Sequence, residues 1–293
     1  MKVGLIDVDG HNFPNLCQMK LSAYHKMIGN QVERYSPDGT YDLVYMSKVF
    51  DSTYSQDLPD PQNTQRIIRG GTGYDLDNKL HPMIENVMPD YSLYGITDTA
   101  YGFLTRGCPR HCGFCIVGDK EGLKSHKVAD LSWWWSGQPN IKLLDPNLLA
   151  CKDRMDLLDQ LIDSKAVVDI TQGFDIRLTN EDIAQKLGKM RIKRIHFAWD
   201  NPNEDLRPYF IDFSKAYRRK CISTKVVYVL TNFNSTLEED LYRIYTLREL
   251  RYDPYVMVFD KPNAPKEIRQ LQRWVNNKII FRKCPNFNDY MKN

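Results

Sequence analysis

Short apolar runs alternate with amphipathic stretches along most of the chain, a pattern typical of strands that alternate with helices. The amino-terminal part opens with an apolar run at residues 2–8, and residues 16–27 then carry apolar side chains at helical spacing. Two more short runs, at 32–35 and 42–50, have the length of strands. We therefore expect residues 1–95 to form a small parallel sheet covered by helices.

The rest of the chain carries a longer version of the same alternation. Six strand–helix repeats favour a parallel sheet that curls into a partial or full barrel over residues 99–260, on which a basic extension, 261–293, docks. In such sheets ligands bind at the carboxyl ends of the strands. The predicted strands are 101–106, 141–145, 167–171, 194–199, 225–232 and 255–259, and the predicted helices are 153–165, 180–190, 206–220 and 236–250.

Composition narrows the class of protein only a little. Of the 293 residues, 42% are hydrophobic and 26% are charged, which excludes wholesale disorder. No apolar run approaches the ~20 residues of a membrane-spanning helix, so no membrane association is expected. Asp7 interrupts the first apolar run too early for a secretory signal, and we expect a protein of the reducing cytoplasm.

Charge is distributed unevenly along the chain. Residues 1–100 carry 8 basic and 13 acidic side chains, whereas the remainder carries 32 basic and 24 acidic ones. The last 53 residues alone hold 11 basic and 5 acidic side chains. This asymmetry favours an anionic partner, with nucleic acid among the candidates, although a solubilising surface is the plainer interpretation.

Three of the seven cysteines lie within eight residues, in the segment Thr-Arg-Gly-Cys-Pro-Arg-His-Cys-Gly-Phe-Cys. Cys108, Cys112 and Cys115 have the spacing C-x3-C-x2-C. Three thiolates on one short loop suit an iron–sulfur cluster, because such clusters favour cysteine ligands. With three ligands rather than four, one iron stays open to an outside ligand, as a catalytic zinc ion keeps a free position.

The sequence is also compatible with two other kinds of metal site. A structural zinc site would combine the three cysteines with His111 or His126, although zinc sites usually place two ligand pairs well apart. A four-cysteine electron-transfer cluster would recruit a distant thiol such as Cys151. A non-catalytic iron–sulfur or zinc-binding protein is therefore the alternative function.

The cysteine loop, with the aromatic Phe114 just before its last cysteine, resembles the defining motif of the radical SAM superfamily. The resemblance implies a partial (β/α)6 barrel and a [4Fe–4S] cluster on Cys108, Cys112 and Cys115, whose open iron binds S-adenosylmethionine (SAM). It implies an enzyme that cleaves SAM with one electron to a 5′-deoxyadenosyl radical, which takes hydrogen from an RNA, peptide or metabolite substrate. An electron donor of the flavodoxin or ferredoxin type is implied as the partner.

Polar residues after the predicted strands are candidates for binding SAM or substrate, with helix capping as their alternative role. Arg177 is the cation expected to pair with the SAM carboxylate, and Asp145 is expected to contact its amine or ribose. The candidate cofactor-binding residues are Phe114, Asp145, Asn147, Gln172, Asp175, Arg177, Asp200 and Asn232.

The amino-terminal region resembles the Rossmann-like cobalamin-binding domain that precedes many radical SAM barrels. Asp9-Gly10-His11 fits its first motif, Ser47-Lys48-Val49 loosely fits its Ser-x-Leu, and Gly70-Gly71 fits its glycine pair. The resemblance makes His11 a candidate axial cobalt ligand and a cobalamin-dependent methyltransferase a further alternative. Pro14 stands where that motif has glycine, and the region is short, so we expect a degenerate domain that binds cobalamin weakly or not at all.

Overall fold

Twelve strands and ten α-helices form the regular structure of residues 1–10, 13–217 and 225–292, the part of the chain that this computed structural model describes. The strands are β1 (Lys2–Asp7), β2 (Gln31–Arg34), β3 (Leu43–Ser47), β4 (Ile67–Gly70), β5 (Thr99–Gly102), β6 (Thr105–Arg106), β7 (His126–Lys127), β8 (Asn140–Leu143), β9 (Val167–Ile170), β10 (Ile192–Ala198), β11 (Lys225–Thr231) and β12 (Asp253–Val258). The helices are α1 (Leu16–Met27), α2 (Pro82–Glu85), α3 (Val117–Glu121), α4 (Arg154–Asp163), α5 (Glu181–Lys189), α6 (Arg207–Ala216), α7 (Leu237–Glu249), α8 (Lys266–Asn276), α9 (Lys278–Lys283) and α10 (Phe287–Lys292). None of these helices is long and apolar enough to cross a membrane.

The amino-terminal strands form a four-stranded parallel sheet in the order β2-β1-β3-β4. Val3 and Leu5 of β1 pack with Leu21 of α1, because the alternating apolar side chains of the strand meet the apolar stripe of the helix. At the carboxyl edge, Ser47 lies in register between Asp7 and Gly70. Ser47 and Gly70 therefore meet the end of β1 at one edge of the sheet.

The larger sheet has six strands in the order β12-β11-β10-β9-β8-β5, and every neighbouring pair is parallel. Apart from the small β6–β7 pair, each strand lies beside the one that precedes it in the chain. Ile141, Val168, Phe197 and Val227 lie on the face that packs against helices α4 to α7. The predicted α/β class with parallel sheets is confirmed, and the carboxyl ends of the six strands share one edge.

The predicted strand 101–106 is the clearest departure from the sequence pattern. β5 ends at Gly102, and Thr105 and Arg106 pair instead with the antiparallel strand β7. The carboxylate of Asp145 accepts hydrogen bonds from the backbone amides of Leu104 and Thr105, which draws the chain away from the line of β5. The predicted helix 206–220 ends earlier, as α6, and residues 218–224 lie outside the described ranges.

Both edges of the six-stranded sheet are covered by side chains. On β5, the hydroxyl of Tyr91 lies 3.1 Å from the backbone nitrogen and 3.2 Å from the backbone oxygen of Tyr101. On β12, the amide of Asn276 in α8 accepts from the nitrogen of Val256 at 2.8 Å and donates to its oxygen at 3.0 Å. Covered edges of this kind do not recruit a further strand at these positions.

Candidate functional site

The three clustered cysteines lie on the loop that joins β6 to α3. Gly107 begins this loop with φ +82°, and a Cβ atom there would lie 2.3 Å from the backbone oxygen of Lys124, so only glycine fits. The nitrogen of Cys108 donates to Gly122 at 3.1 Å, and the nitrogen of Cys115 donates to Cys112 at 2.9 Å. Backbone hydrogen bonds thus fold the segment into a tight loop that carries the thiols.

Burial raises the pKa of the Cys112 and Cys115 thiols. The negative charges of the neighbouring cysteines and of Asp200 raise both pKa values further. A cysteine ligates a metal as the thiolate, so these side chains need a positive partner in order to ionise. A bound cationic centre supplies such a partner.

The described residues, the three cysteines among them, do not form a site for a single metal ion. Within the described ranges, no three His, Cys, Asp or Glu side chains come close enough together to hold a single metal ion. A structural zinc ion needs that convergence. An iron–sulfur cluster places a different demand on its ligands, because each cysteine binds a different iron atom.

Asn147 connects the end of β8 to the cysteine loop. Its side chain is 4% exposed, and its Nδ2 atom lies 3.5 Å from the Sγ atom of Cys108 and donates to it. Its Oδ1 atom is buried without a hydrogen-bond partner. A buried acceptor of this kind costs roughly 1–3 kcal/mol when left unpaired, so Asn147 suits a ligand that brings an N–H or O–H donor.

Asp145 is an anchor of the segment that enters the cysteine loop. Its carboxylate is 2% exposed and accepts from the nitrogen of Leu104 at 2.8 Å, the nitrogen of Thr105 at 2.7 Å and the hydroxyl of Thr105 at 2.6 Å. Burial raises the pKa of Asp145 to about 7, against the opposing effect of these hydrogen bonds. Its predicted contact with SAM stays a prediction.

Arg177 belongs to a chain of four charged side chains. Asp175 accepts from Nε of Arg110 at 2.5 Å and from Nε of Arg177 at 2.7 Å, and Arg177 pairs through Nη1 with Glu204. Burial alone would raise the pKa of Asp175, but the hydrogen bonds and charges of Arg177 and Arg110 hold it below its usual range. The chain links the cysteine loop to the loops that follow β9 and β10.

Asp200, two residues after the end of β10, lies within electrostatic reach of Cys112 and Cys115. Its Oδ1 atom accepts from the nitrogen of Leu230 at 3.1 Å, and burial raises its pKa to about 6. The backbone at Asp200 is held by Arg243, whose guanidinium donates to the oxygen of Asp200 at 3.0 Å. The sequence analysis missed this role of Arg243.

Arg243 is 1% exposed and forms an ion pair with Asp240 one turn earlier in α7. It also donates to the oxygens of Trp199 at 2.7 Å and Leu230 at 3.0 Å. The sequence carries a signal for this buried ion pair. Asp240 and Arg243 stand three residues apart in the predicted helix, beside the apolar residue Ile244. Arg243 thus fixes the carboxyl ends of β10 and β11.

Phe233, which follows Asn232 in the chain, contacts Phe114. Asn232 has φ +63° and donates from Nδ2 to the oxygen of Phe259 at 2.8 Å, which places Phe233 beside the cysteine loop. The Phe233 ring lies 5.6 Å from that of Phe114, edge to face. Gln172 is exposed in the loop after β9.

The structure therefore brings one group of candidates to the cysteine loop and leaves others apart. Asn147 touches Cys108, Asp200 and Arg177 act on Cys112 through their charges, and Phe114 is part of the loop. Asp145 contacts Leu104 and Thr105, which precede the cysteine loop. His11 and Cys221 lie outside the described ranges.

Comparison with models of known protein families gives no match to this chain, and comparison with curated proteins gives none either.

Proposed function

We propose that this protein is a radical SAM enzyme that holds a [4Fe–4S] cluster on Cys108, Cys112 and Cys115. The observation that carries the proposal is the position of the C-x3-C-x2-C loop at the carboxyl edge of a six-stranded parallel sheet. There the side-chain amide of Asn147, which follows β8, donates to the Sγ atom of Cys108. The donor set supports a cluster, because three cysteines on one short loop suit iron–sulfur ligation and leave one iron open to an outside ligand.

The fold implied by this proposal is a partial (β/α)6 barrel that follows a small Rossmann-like domain. Three features support it. The six strands follow one another in chain order, all neighbours are parallel, and the helices between them pack on one face. The proposal also implies a flavodoxin- or ferredoxin-like electron donor and a cytoplasmic location.

When bound, the cluster supplies the electron that cleaves the sulfonium of SAM. The residues of the chain bind and orient SAM. Asn147 donates to Cys108 and offers its unpartnered Oδ1 to the SAM amine, and Arg177 offers its remaining N–H groups to the SAM carboxylate. Asp200 accepts from a ligand hydroxyl, and the edge-to-face rings of Phe114 and Phe233 exclude water from one side of the loop.

Anaerobic purification followed by iron and sulfide analysis tests the cluster. We expect a brown protein with about four irons per chain, as one cubane cluster requires. Substituting Cys108, Cys112 or Cys115 with Ala should remove the colour, whereas Cys17→Ala and Cys284→Ala are matched controls that should keep it. Stoichiometric zinc without iron or sulfide would overturn the proposal and favour a structural metal site.

A further inference from the structure

Glu121, the last residue of α3, joins the two ends of the cysteine loop. Its side chain is 12% exposed. Its Oε2 atom accepts from the backbone nitrogen of Gly107, the residue before Cys108, at 3.1 Å. Its Oε1 atom accepts from Nη1 of Arg106 at 2.6 Å. One carboxylate therefore fastens the strand before the loop to the helix after it.

A network of ion pairs continues from Arg106 into the amino-terminal region. Nη2 of Arg106 lies 3.8 Å from Oε1 of Glu85. The same oxygen accepts from Nζ of Lys20 in α1 at 2.6 Å, and Nζ also donates to the backbone oxygen of Glu85 at 2.6 Å. Ile84, next to Glu85, packs on the apolar cluster that β1 and α1 share. The network therefore ends on the core of the amino-terminal region.

A second contact joins the amino-terminal region to α3. Lys120 of this helix donates from Nζ to the hydroxyl of Thr72. The loop that carries Thr72 is held against the end of β3, because the nitrogen of Gly73 donates to the oxygen of Lys48 at 3.0 Å. Two attachments, at Arg106 and Lys120, thus connect this region to the segments on either side of the cysteine loop.

Polar groups at the carboxyl edge of the small sheet, where such sheets bind ligands, have partners within the chain. The hydroxyl of Tyr94 donates to Oδ2 of Asp7 at 2.9 Å, and Asn15 donates from Nδ2 to Ser47 at 3.0 Å. These contacts disfavour a ligand carrier. The two attachments favour a region that holds the cysteine loop in place.

We propose that the amino-terminal region braces the cysteine loop and that Glu121 is the positioning residue through which it acts. The brace orders the loop before a cluster binds, so less conformational entropy is lost when the thiols become ligands. Glu121 acts through Gly107 and Arg106 and not as a ligand. The brace itself needs no cluster, and only its benefit for cluster loading rests on the proposed function.

Alkylation of the thiols in the full-length protein tests the brace. Iron is removed with a chelator under anaerobic, reducing conditions, and iodoacetamide is added. Mass spectrometry of the peptides then gives the rates at Cys108, Cys112 and Cys115. Opening of a segment exposes its thiols, so these rates report how often the loop opens. Cys17 and Cys284 of the same sample report opening elsewhere in the chain.

Glu121→Ala and Glu121→Gln form a matched pair. Burial raises the pKa of Cys115, and the charge of Glu121 adds to this effect, so both substitutions change the thiol in the same way. Only Glu121→Gln keeps a side-chain oxygen that can accept from Gly107. The loop thiols should react about 5-fold faster in Glu121→Ala than in Glu121→Gln, the factor expected for one lost hydrogen bond.

Glu85→Gln and Thr72→Val test the link to the amino-terminal region, because each removes one attachment without altering the loop itself. Each should raise the rates at the loop thiols about 3-fold, as expected for a partly exposed contact. Lys26→Met is the matched control, because it breaks a 2.6 Å ion pair between α1 and Asp90 that lies outside the network. Its loop thiols should react like those of the parent.

Three results would overturn the inference. These are equal rates in Glu121→Ala and Glu121→Gln, rates in both Glu85→Gln and Thr72→Val that match Lys26→Met, and acceleration at Cys17 or Cys284 as large as at the loop thiols. Iron analysis before chelation separates the inference from the proposed function. Protein that holds about four irons per chain and gives any of these results refutes the inference alone. Protein that gives the expected rates but never holds iron refutes the proposed function alone.

Discussion

Asn147 donates a hydrogen bond to the Sγ atom of Cys108, although 39 positions separate the two residues in the chain. Because Asn147 follows β8 and Cys108 follows β6, this contact ties the cysteine loop to the edge of the large sheet. Ser125 adds a second tie by donating from Oγ to the oxygen of Asn147 at 2.9 Å. A ligand held by the loop would therefore lie against the strand ends, where the other candidate residues stand.

Replacing Arg177 with Ala tests the assignment of the SAM carboxylate. The charge-assisted pair is worth roughly 1.5–3 kcal/mol, so SAM affinity should fall about 10- to 100-fold in calorimetric titration of the cluster-bearing protein. Iron content should not change, because the thiols are untouched. Arg207→Ala, which removes an exposed arginine paired with Asp205, is the control. Unchanged SAM affinity in Arg177→Ala would contradict the assignment. Arg177 would then have only the structural role of pairing with Asp175 and Glu204.

Asp145 should make stability depend on pH. Its pKa of about 7 in the folded protein exceeds the ordinary value near 3.9, so the folded state holds the proton to higher pH than the unfolded state. The free energy of unfolding should therefore fall as pH rises from about 4 to about 7, by up to roughly 4 kcal/mol.

Asp145→Asn, which cannot titrate, provides the reference for this prediction. Denaturant titrations at several pH values should show the parent losing stability relative to Asp145→Asn as pH rises to 7. A parent that instead gains relative stability over that range would mean that the hydrogen bonds from Leu104 and Thr105 outweigh burial and keep the carboxylate ionised.

Arg243→Met should destabilise the protein strongly. The substitution leaves the 0%-exposed Asp240 carboxylate without its cation and removes donors from the oxygens of Trp199 and Leu230. Breaking one side of a buried pair costs about 3–5 kcal/mol, measured as the free energy of unfolding in denaturant. The exposed Arg207→Ala should change it by less than about 0.5 kcal/mol. A loss below about 1 kcal/mol in Arg243→Met would show that the pair does not hold β10 and β11 together.

The amino-terminal region should bind cobalamin weakly or not at all. At the carboxyl edge of its sheet, Asn15 donates to Ser47 at 3.0 Å and the Thr72 hydroxyl accepts from Lys120 of α3, so these groups already have partners. A Cβ atom at Gly71 would lie 2.3 Å from the oxygen of Lys48, which places the glycine pair against its own sheet. Equilibrium dialysis with hydroxocobalamin measures this directly. Tight binding that His11→Ala abolishes would contradict the prediction and favour methyl transfer.

The sequence predicted elements that have a local signature. Apolar runs located the strands of both sheets to within a few residues, except β4, which was not predicted, and spacing alone singled out the three cysteines. Contacts between distant residues have no such signature. The pairing of Asp145 with Leu104 and Thr105 spans about 40 positions, and it divides a stretch that reads as one strand. Glu204 meets Arg177 only because neighbouring strands bring their loops together.

The most direct test of the central claim is reductive cleavage of SAM. Anaerobic protein, incubated with SAM and dithionite, should form 5′-deoxyadenosine, detected by chromatography and mass spectrometry. Cys112→Ala should form none, and Cys284→Ala should form as much as the parent, because only the first removes a proposed cluster ligand. Protein that carries its full complement of iron and sulfide yet forms no 5′-deoxyadenosine would contradict the account.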